Sequence, residues 1–114
     1  MAAMQDQTAA HTAIVNKLRR GTLEGKLLWE RAGDYGKQYA VLLDTGFRAT
    51  VQKTPSGSVV FTMLNAGGVA SVHLDSSRVA GDMLRLALLQ LYVAVRDTVA
   101  ELMAREALDA VKDL

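Results

Sequence analysis

From Asp82 to Leu114 the chain contains neither proline nor glycine, and its residues favour helix throughout. A helix of about 32 residues would be roughly 48 Å long at 1.5 Å rise per residue. That length has to be reconciled with whatever the rest of the chain can build beneath it.

Upstream, the hydrophobic period is two. Leu27, Trp29 and Arg31 alternate with Leu28 and Glu30, and Tyr39, Val41 and Leu43 alternate with Ala40 and Leu42. Phe47, Ala49 and Val51 alternate with Arg48, Thr50 and Gln52, the cleanest strand signal in the chain. Val59, Phe61 and Met63 follow, then Ala70, Val72 and Leu74. The separators are Ala32-Gly33-Asp34-Tyr35-Gly36-Lys37, Asp44-Thr45-Gly46, Thr54-Pro55-Ser56-Gly57 and Asn65-Ala66-Gly67-Gly68, all rich in turn formers. Loops this short join antiparallel neighbours, so the five strands form a meander. A six-residue strand spans about 20 Å, and five strands about 19 Å across. The terminal helix therefore overhangs the sheet.

Before the sheet, Ala10, Ile14 and Leu18 recur at helical spacing, with Gly21 as a stop. This predicts a short helix over Thr8–Arg20. After the sheet, Asp75-Ser76-Ser77 offers N-cap oxygens, and Asp82 suits the positive end of a helix dipole. The expected fold is α+β, with an order α-β-β-β-β-β-α: a five-stranded antiparallel meander on a long C-terminal helix. Residues 1–7 read as a flexible N-terminus, 8–96 as the domain and 97–114 as a helical extension for oligomerisation.

The long segment is uneven. Between Met83 and Val95 only Arg85 and Gln90 are polar, so that half should be covered on more than one side. One cover is the sheet. The other is the N-terminal helix or a second subunit. From Arg96 the apolar residues narrow to a stripe, Val99, Leu102, Met103, Ala107, Ala110 and Leu114, with charges around it. A narrow stripe on a projecting helix suits helix–helix packing. The expected homodimer seam is Leu88, Leu91, Tyr92, Val95, Val99, Leu102 and Met103.

Half of the 114 residues are apolar and 22% are charged, which excludes intrinsic disorder. The net charge is only +1, but residues 1–57 carry eight basic and five acidic groups, and residues 58–114 five basic and seven acidic. A basic half beside an acidic half suits self-association at least as well as a foreign partner. Cysteine is absent, which excludes disulfides, thiolate metal sites and a Cys nucleophile. No basic segment leading into an apolar run marks a signal peptide, and the apolar run Leu86–Val95 is about half the ~20 residues that span a bilayer. A cytoplasmic protein without membrane association is expected.

Leu42-Leu43-Asp44-Thr45-Gly46 matches the Asp-Thr-Gly signature of the aspartic proteases, whose smallest members are dimers that share a proton between two Asp. Phe47 and Arg48 replace the small and acidic residues that follow the signature there, and a cation would oppose proton sharing. A tight hairpin turn is the better reading. His11 and His73 stand alone, without ligand spacing, so no metal and no cofactor is expected. No phosphate loop, dinucleotide fingerprint or Gly-x-Ser-x-Gly occurs, so the chain does not read as an enzyme. Trp29 and Tyr92 read as packing anchors that need a partner for N–H or O–H.

A basic stretch, Lys17, Arg19, Arg20, Lys26 and Arg31, together with Arg48 and Lys53 and near Tyr35 and Tyr39, has the charge and stacking platforms of a single-strand binder. A β-meander followed by a dimerising helix is also the layout of the Pur-alpha and whirly single-strand binders, a likeness of architecture alone. On this alternative, Arg19, Arg20, Lys26, Arg31 and Arg48 would hold nucleic acid on a basic sheet face.

Leu23-Glu24-Gly25-Lys26-Leu27-Leu28-Trp29-Glu30, with Tyr39, Leu43 and then Leu88-Leu89-Gln90-Leu91-Tyr92-Val93-Ala94-Val95-Arg96, resembles a loose group of small prokaryotic and phage proteins. Their pattern is G-K-L-x-W entering a meander and L-x-x-L-Y-x-x-x-R on the helix after it. The resemblance covers residues 17–97. It implies the same order of elements and no activity, and it hints at an accessory role in mobile elements or bacterial conflict systems. Together these readings predict a non-enzymatic interaction or regulatory module, a homodimer that also engages an unidentified protein partner.

Overall fold

A computed structural model describes residues 2–33 and 37–114. The element order is α1 (Ala2–Leu23), β1 (Glu30–Ala32), β2 (Gln38–Leu42), β3 (Arg48–Lys53), β4 (Val59–Leu64), β5 (Ala70–Asp75) and α2 (Asp82–Val111). The five strands form one antiparallel sheet in sequence order, the expected meander.

Three hairpins share one turn design. Gly46 N–H donates to Leu43 O, Gly57 N–H to Thr54 O and Gly68 N–H to Asn65 O, each at 2.9 Å. Each turn ends on a glycine at positive φ, 89°, 91° and 82° respectively, where a Cβ would be strained. Side chains reinforce two of them. Thr54 Oγ1 lies 2.7 Å from Ser58 Oγ, and Asn65 Oδ1 accepts from Gly67 N–H at 2.9 Å. These turns fix the register, and register decides which strand phase is buried.

The buried phase is Tyr39, Val41, Ala49, Val51, Val59, Phe61 and Leu74. Cross-strand pairs carry it through the sheet: Tyr39 faces Val51, Val51 faces Phe61, and Phe61 faces Leu74. These residues join one core with Val15 and Leu18 of α1 and Leu84, Leu88, Leu91, Val95 and Val99 of α2. Both helices thus serve the same face of the sheet. α2 packs on β3 and β4 and along α1.

Both ends of α1 depart from the sequence expectation. The helix begins at Ala2, so the segment expected to be a flexible N-terminus is mostly helical. It also continues past Arg20. Thr22 Oγ1 donates back to Leu18 O at 2.7 Å and accepts from Trp29 Nε1 at 2.8 Å, both in buried surroundings. Leu27 packs beside Gly21, where an added Cβ would sit 3.2 Å from Leu27 Cδ1. Gly21 is therefore a close-packing site inside the helix rather than its stop. Trp29 is the anchor expected, but it lies just ahead of β1, which starts at Glu30 and not at Leu27.

The turn between β5 and α2 also differs. Asp75 Oδ1 accepts from Ser77 N–H and Ser77 Oγ, and Ser76 Oγ accepts from Val59 N–H at 2.8 Å. These oxygens close the sheet edge and the turn, so none of them caps α2. The N-cap is Gly81, without a side-chain cap. Arg85 pins the first turn instead, donating to Ser76 O and Asp82 Oδ1, each at 3.0 Å.

α2 runs unbroken from Asp82 to Val111. Its last buried residue is Val99, and every residue from Ala100 to Leu114 is exposed. The molecule measures 62 Å along its longest axis and 31 Å along the next. The overhang anticipated from strand and helix lengths is present. Among the described residues, no helix is long and apolar enough to cross a membrane.

Candidate self-association face

Two apolar faces interleave on α2. The inner face holds Leu84, Ala87, Leu88, Leu91, Tyr92, Val95 and Val99, all buried. Tyr92 meets Tyr39 edge-on, with ring centroids 6.0 Å apart and planes at 61°. Burial, and secondarily Tyr39, raise the Tyr92 phenol above its ordinary 10.0, with Arg96 pulling weakly the other way.

Five of the seven residues expected to form a dimer seam lie on this inner face: Leu88, Leu91, Tyr92, Val95 and Val99. They are covered by the chain's own sheet and α1, which leaves them unavailable to a second chain. The physical reason is that spacing of three and four marks any helical face with something to cover, whether sheet or helix. Leu102 and Met103 remain accessible. Leu102 continues the inner phase past the edge of the body. It overhangs a groove of about 460 Å³ that also contains Leu28, Trp29 and Arg105.

The outer face is the one sequence reasoning missed. Leu86, Leu89, Val93 and Met103 remain 55%, 38%, 42% and 43% exposed. With Ala100, Ala107 and Ala110, they fall at alternating spacings of three and four along the helix, a spacing that Leu114 continues just past its end, and Arg96 occupies the one charged position. This is the a/d pattern of a coiled-coil seam. Val111 and Ala104 widen it in the projecting half. The charges of that half, Glu101, Arg105, Glu106, Asp109, Lys112 and Asp113, fall outside the stripe. Arg105 and Glu101 pair with each other at 2.6 Å, one turn apart. A signal for this face existed in the sequence, because a half-helix with only two polar residues must have a second apolar side.

Beside the stripe, α1 and α2 border an open groove of about 480 Å³ with Arg19, Leu23, Leu89, Val93, Asp97 and Glu101 around it. Arg96 Nε donates to Asp97 Oδ1 at 3.1 Å, so the middle of the outer face carries an adjacent cation and anion.

The five residues of the nucleic-acid alternative do not share a surface. Arg19 and Arg20 sit on the last turns of α1, and Lys26 follows it, paired with Glu24 at 2.9 Å. Arg31 faces Tyr39 across β1 and β2, the helix-covered phase of the sheet. Arg48 pairs with Leu42 and Leu64 in the opposite phase. Tyr39 is in the core, and Tyr35 lies outside the described residues. The open sheet face is not basic: one cross-strand row reads Glu30, Ala40, Thr50, Thr62 and His73.

Asp44 is exposed at the tip of the β2–β3 hairpin, where Asp-Thr-Gly serves as the turn. His73 Nδ1 lies 3.0 Å from Thr62 Oγ1 on the open sheet face. Among the described residues, no three His, Asp or Glu side chains converge as a metal site would require.

No protein-family model matches the chain, and no curated protein or solved structure matches it. The resemblance to small prokaryotic and phage proteins gains nothing from these comparisons.

Proposed function

We propose that this protein is a non-enzymatic interaction module that works as a homodimer, joined along the outer face of α2. One observation carries the reading: an apolar a/d stripe stays exposed along most of α2, from Leu86 on the body to Ala110 on the projection. An isolated exposed Leu needs no explanation, but a stripe with coiled-coil spacing does. Over those residues it would be roughly 36 Å long. A second α2 supplies a surface of the same length and chemistry, which a globular partner would have to match separately.

The projection supports the same reading. From Ala100 every residue of the helix is exposed, and isolated helices of about 12–15 residues are marginal in water. Pairing would cover its apolar side. It would leave the open sheet face, with Thr50, Thr62 and His73, free for a further protein partner.

The test is a charge placed in the stripe. Val93→Glu is expected to give a folded monomer, with an unchanged far-ultraviolet spectrum and about half the wild-type mass by light scattering. A Val93→Glu protein of the same mass as wild type would remove the outer face as the seam.

A further inference from the structure

The outer face also has a direction. We infer that two copies pair their α2 helices antiparallel, about a two-fold axis beside Arg96 and Asp97. This rests on the dimer proposed above and goes further, because it fixes which end of one helix meets which end of the other.

Three features of the stripe lead there. The first is charge order. Arg96 and Asp97 are adjacent near the middle of the stripe, both partly exposed. In a parallel, in-register pair, each Arg96 would meet its own copy directly in the seam, like charge on like charge. An antiparallel pair reverses the order, so each Arg96 approaches the second copy's Asp97. Along the axis each Asp97 then lies between Arg96 of its own chain and Arg96 of the second copy, so the cations hold the two carboxylates together. A single polar position of this kind selects orientation and register in coiled coils.

The second feature is size. The half of the stripe before Arg96 is bulky, with Leu86, Leu89 and Val93. The half after it is mostly small, with Ala100, Ala104, Ala107 and Ala110. With the axis near residue 98, Leu86 falls opposite Ala110, Leu89 opposite Ala107, Val93 opposite Met103 and Arg96 opposite Ala100. Large against small at nearly every layer keeps the two axes evenly spaced. A parallel pair would set bulky layers at one end and alanine layers at the other, which no single interaxial distance of 8–10 Å fits well.

The third feature is the projection itself. In the antiparallel arrangement each unsupported half lies along the body-supported half of the other α2. Asp113 of one copy falls opposite Met83 of the other, about 3 Å along the axis from the level of Arg85 and on the same flank of the seam. A parallel pair would leave both projecting halves to support only each other. An antiparallel pair also sets the positive N-terminal end of each helix dipole beside the negative C-terminal end of the other.

The chain has no cysteine, so Lys112→Cys gives a single attachment point for a spin label on the exposed, polar side of the projection. In the antiparallel dimer the two labels lie about 42 Å apart along the axis. In a parallel dimer they have no axial separation, and the distance falls to about two helix diameters, 20–24 Å. A dipolar electron resonance distance beyond 40 Å is the expected result. A distance near 20 Å would overturn the orientation while leaving the dimer standing. No pairwise distance at all would overturn the dimer, and the orientation with it. Arg96→Ala gives an independent readout. It is expected to weaken self-association several-fold, because the two Asp97 would then face each other without their cations. Tighter association of that variant would indicate the parallel arrangement.

Discussion

Leu86 and Leu88 are two residues apart on α2, yet truncating them should break different things. Leu88 is 0% exposed in the core, between the sheet and α1. Replacing such a leucine with alanine removes its transfer free energy and leaves a cavity, at a cost of about 3–5 kcal/mol. A domain of this size has roughly 5–15 kcal/mol to lose, so Leu88→Ala should be close to unfolding. Leu86 is 55% exposed on the outer face. Its truncation should change single-chain stability by under about 1 kcal/mol, since alanine is the better helix former. In the dimer, covering that exposed half of the side chain is worth about 1–1.5 kcal/mol per copy, or about 2–3 kcal/mol for two. At 1.4 kcal/mol per decade, Leu86→Ala should raise the dimer dissociation constant by roughly 30- to 150-fold. Urea denaturation at low protein concentration measures the first quantity, and sedimentation equilibrium over a concentration series measures the second. Folding and association are linked, so the denaturation must be run where wild type is mostly dissociated. If Leu86→Ala destabilised the single chain as much as Leu88→Ala, or left association unchanged, the assignment of inner and outer faces would be wrong.

Three other outcomes follow from the structure. Thr22→Val leaves the buried Trp29 indole N–H without its acceptor and should cost about 1–3 kcal/mol in denaturation, whereas Thr22→Ser should cost much less. Asp75 is held below its ordinary 3.8 first by the Ser77 hydroxyl and then by the Ser77 backbone N–H. A depressed carboxyl pKa stabilises the fold above the unfolded value and loses that contribution as pH falls through the folded one. Carbon-detected NMR titration should therefore place Asp75 below 3.8, and Ser77→Ala should move it upward; an unmoved value would contradict the turn geometry. Because Arg19, Arg20, Lys26, Arg31 and Arg48 occupy separate surfaces, a labelled oligonucleotide at low salt should show no salt-sensitive binding, and a steep salt slope would contradict that reading.

The sheet was legible in the sequence because period-two alternation and glycine-ended turns are local signals. The three hairpins from β2 to β5 therefore fall where Asp44-Thr45-Gly46, Thr54-Pro55-Ser56-Gly57 and Asn65-Ala66-Gly67-Gly68 put them. The ends of α1 were not legible. Ala2–Gln7 has no apolar period, and Gly21 looks like a stop until Leu27 is seen packed on it and Thr22 is seen bonded to Trp29. Those are contacts between segments, which local pattern does not contain. The overhang of α2 was legible because it depends only on lengths. Which of its faces turns inward was not. A run as apolar as Met83–Val95 carries two stripes at helical spacing, and only the position of the sheet separates Leu88 and Leu91 from Leu86 and Leu89. The larger stripe has the spacing of a seam, and it is the core.

On the proposed function, a second chain covers the outer face of α2. Sedimentation equilibrium of the unmodified protein at micromolar concentration tests it most directly. The expected mass is about twice 12.3 kDa, falling toward 12.3 kDa on dilution. A mass that stays at 12.3 kDa up to hundreds of micromolar would contradict it.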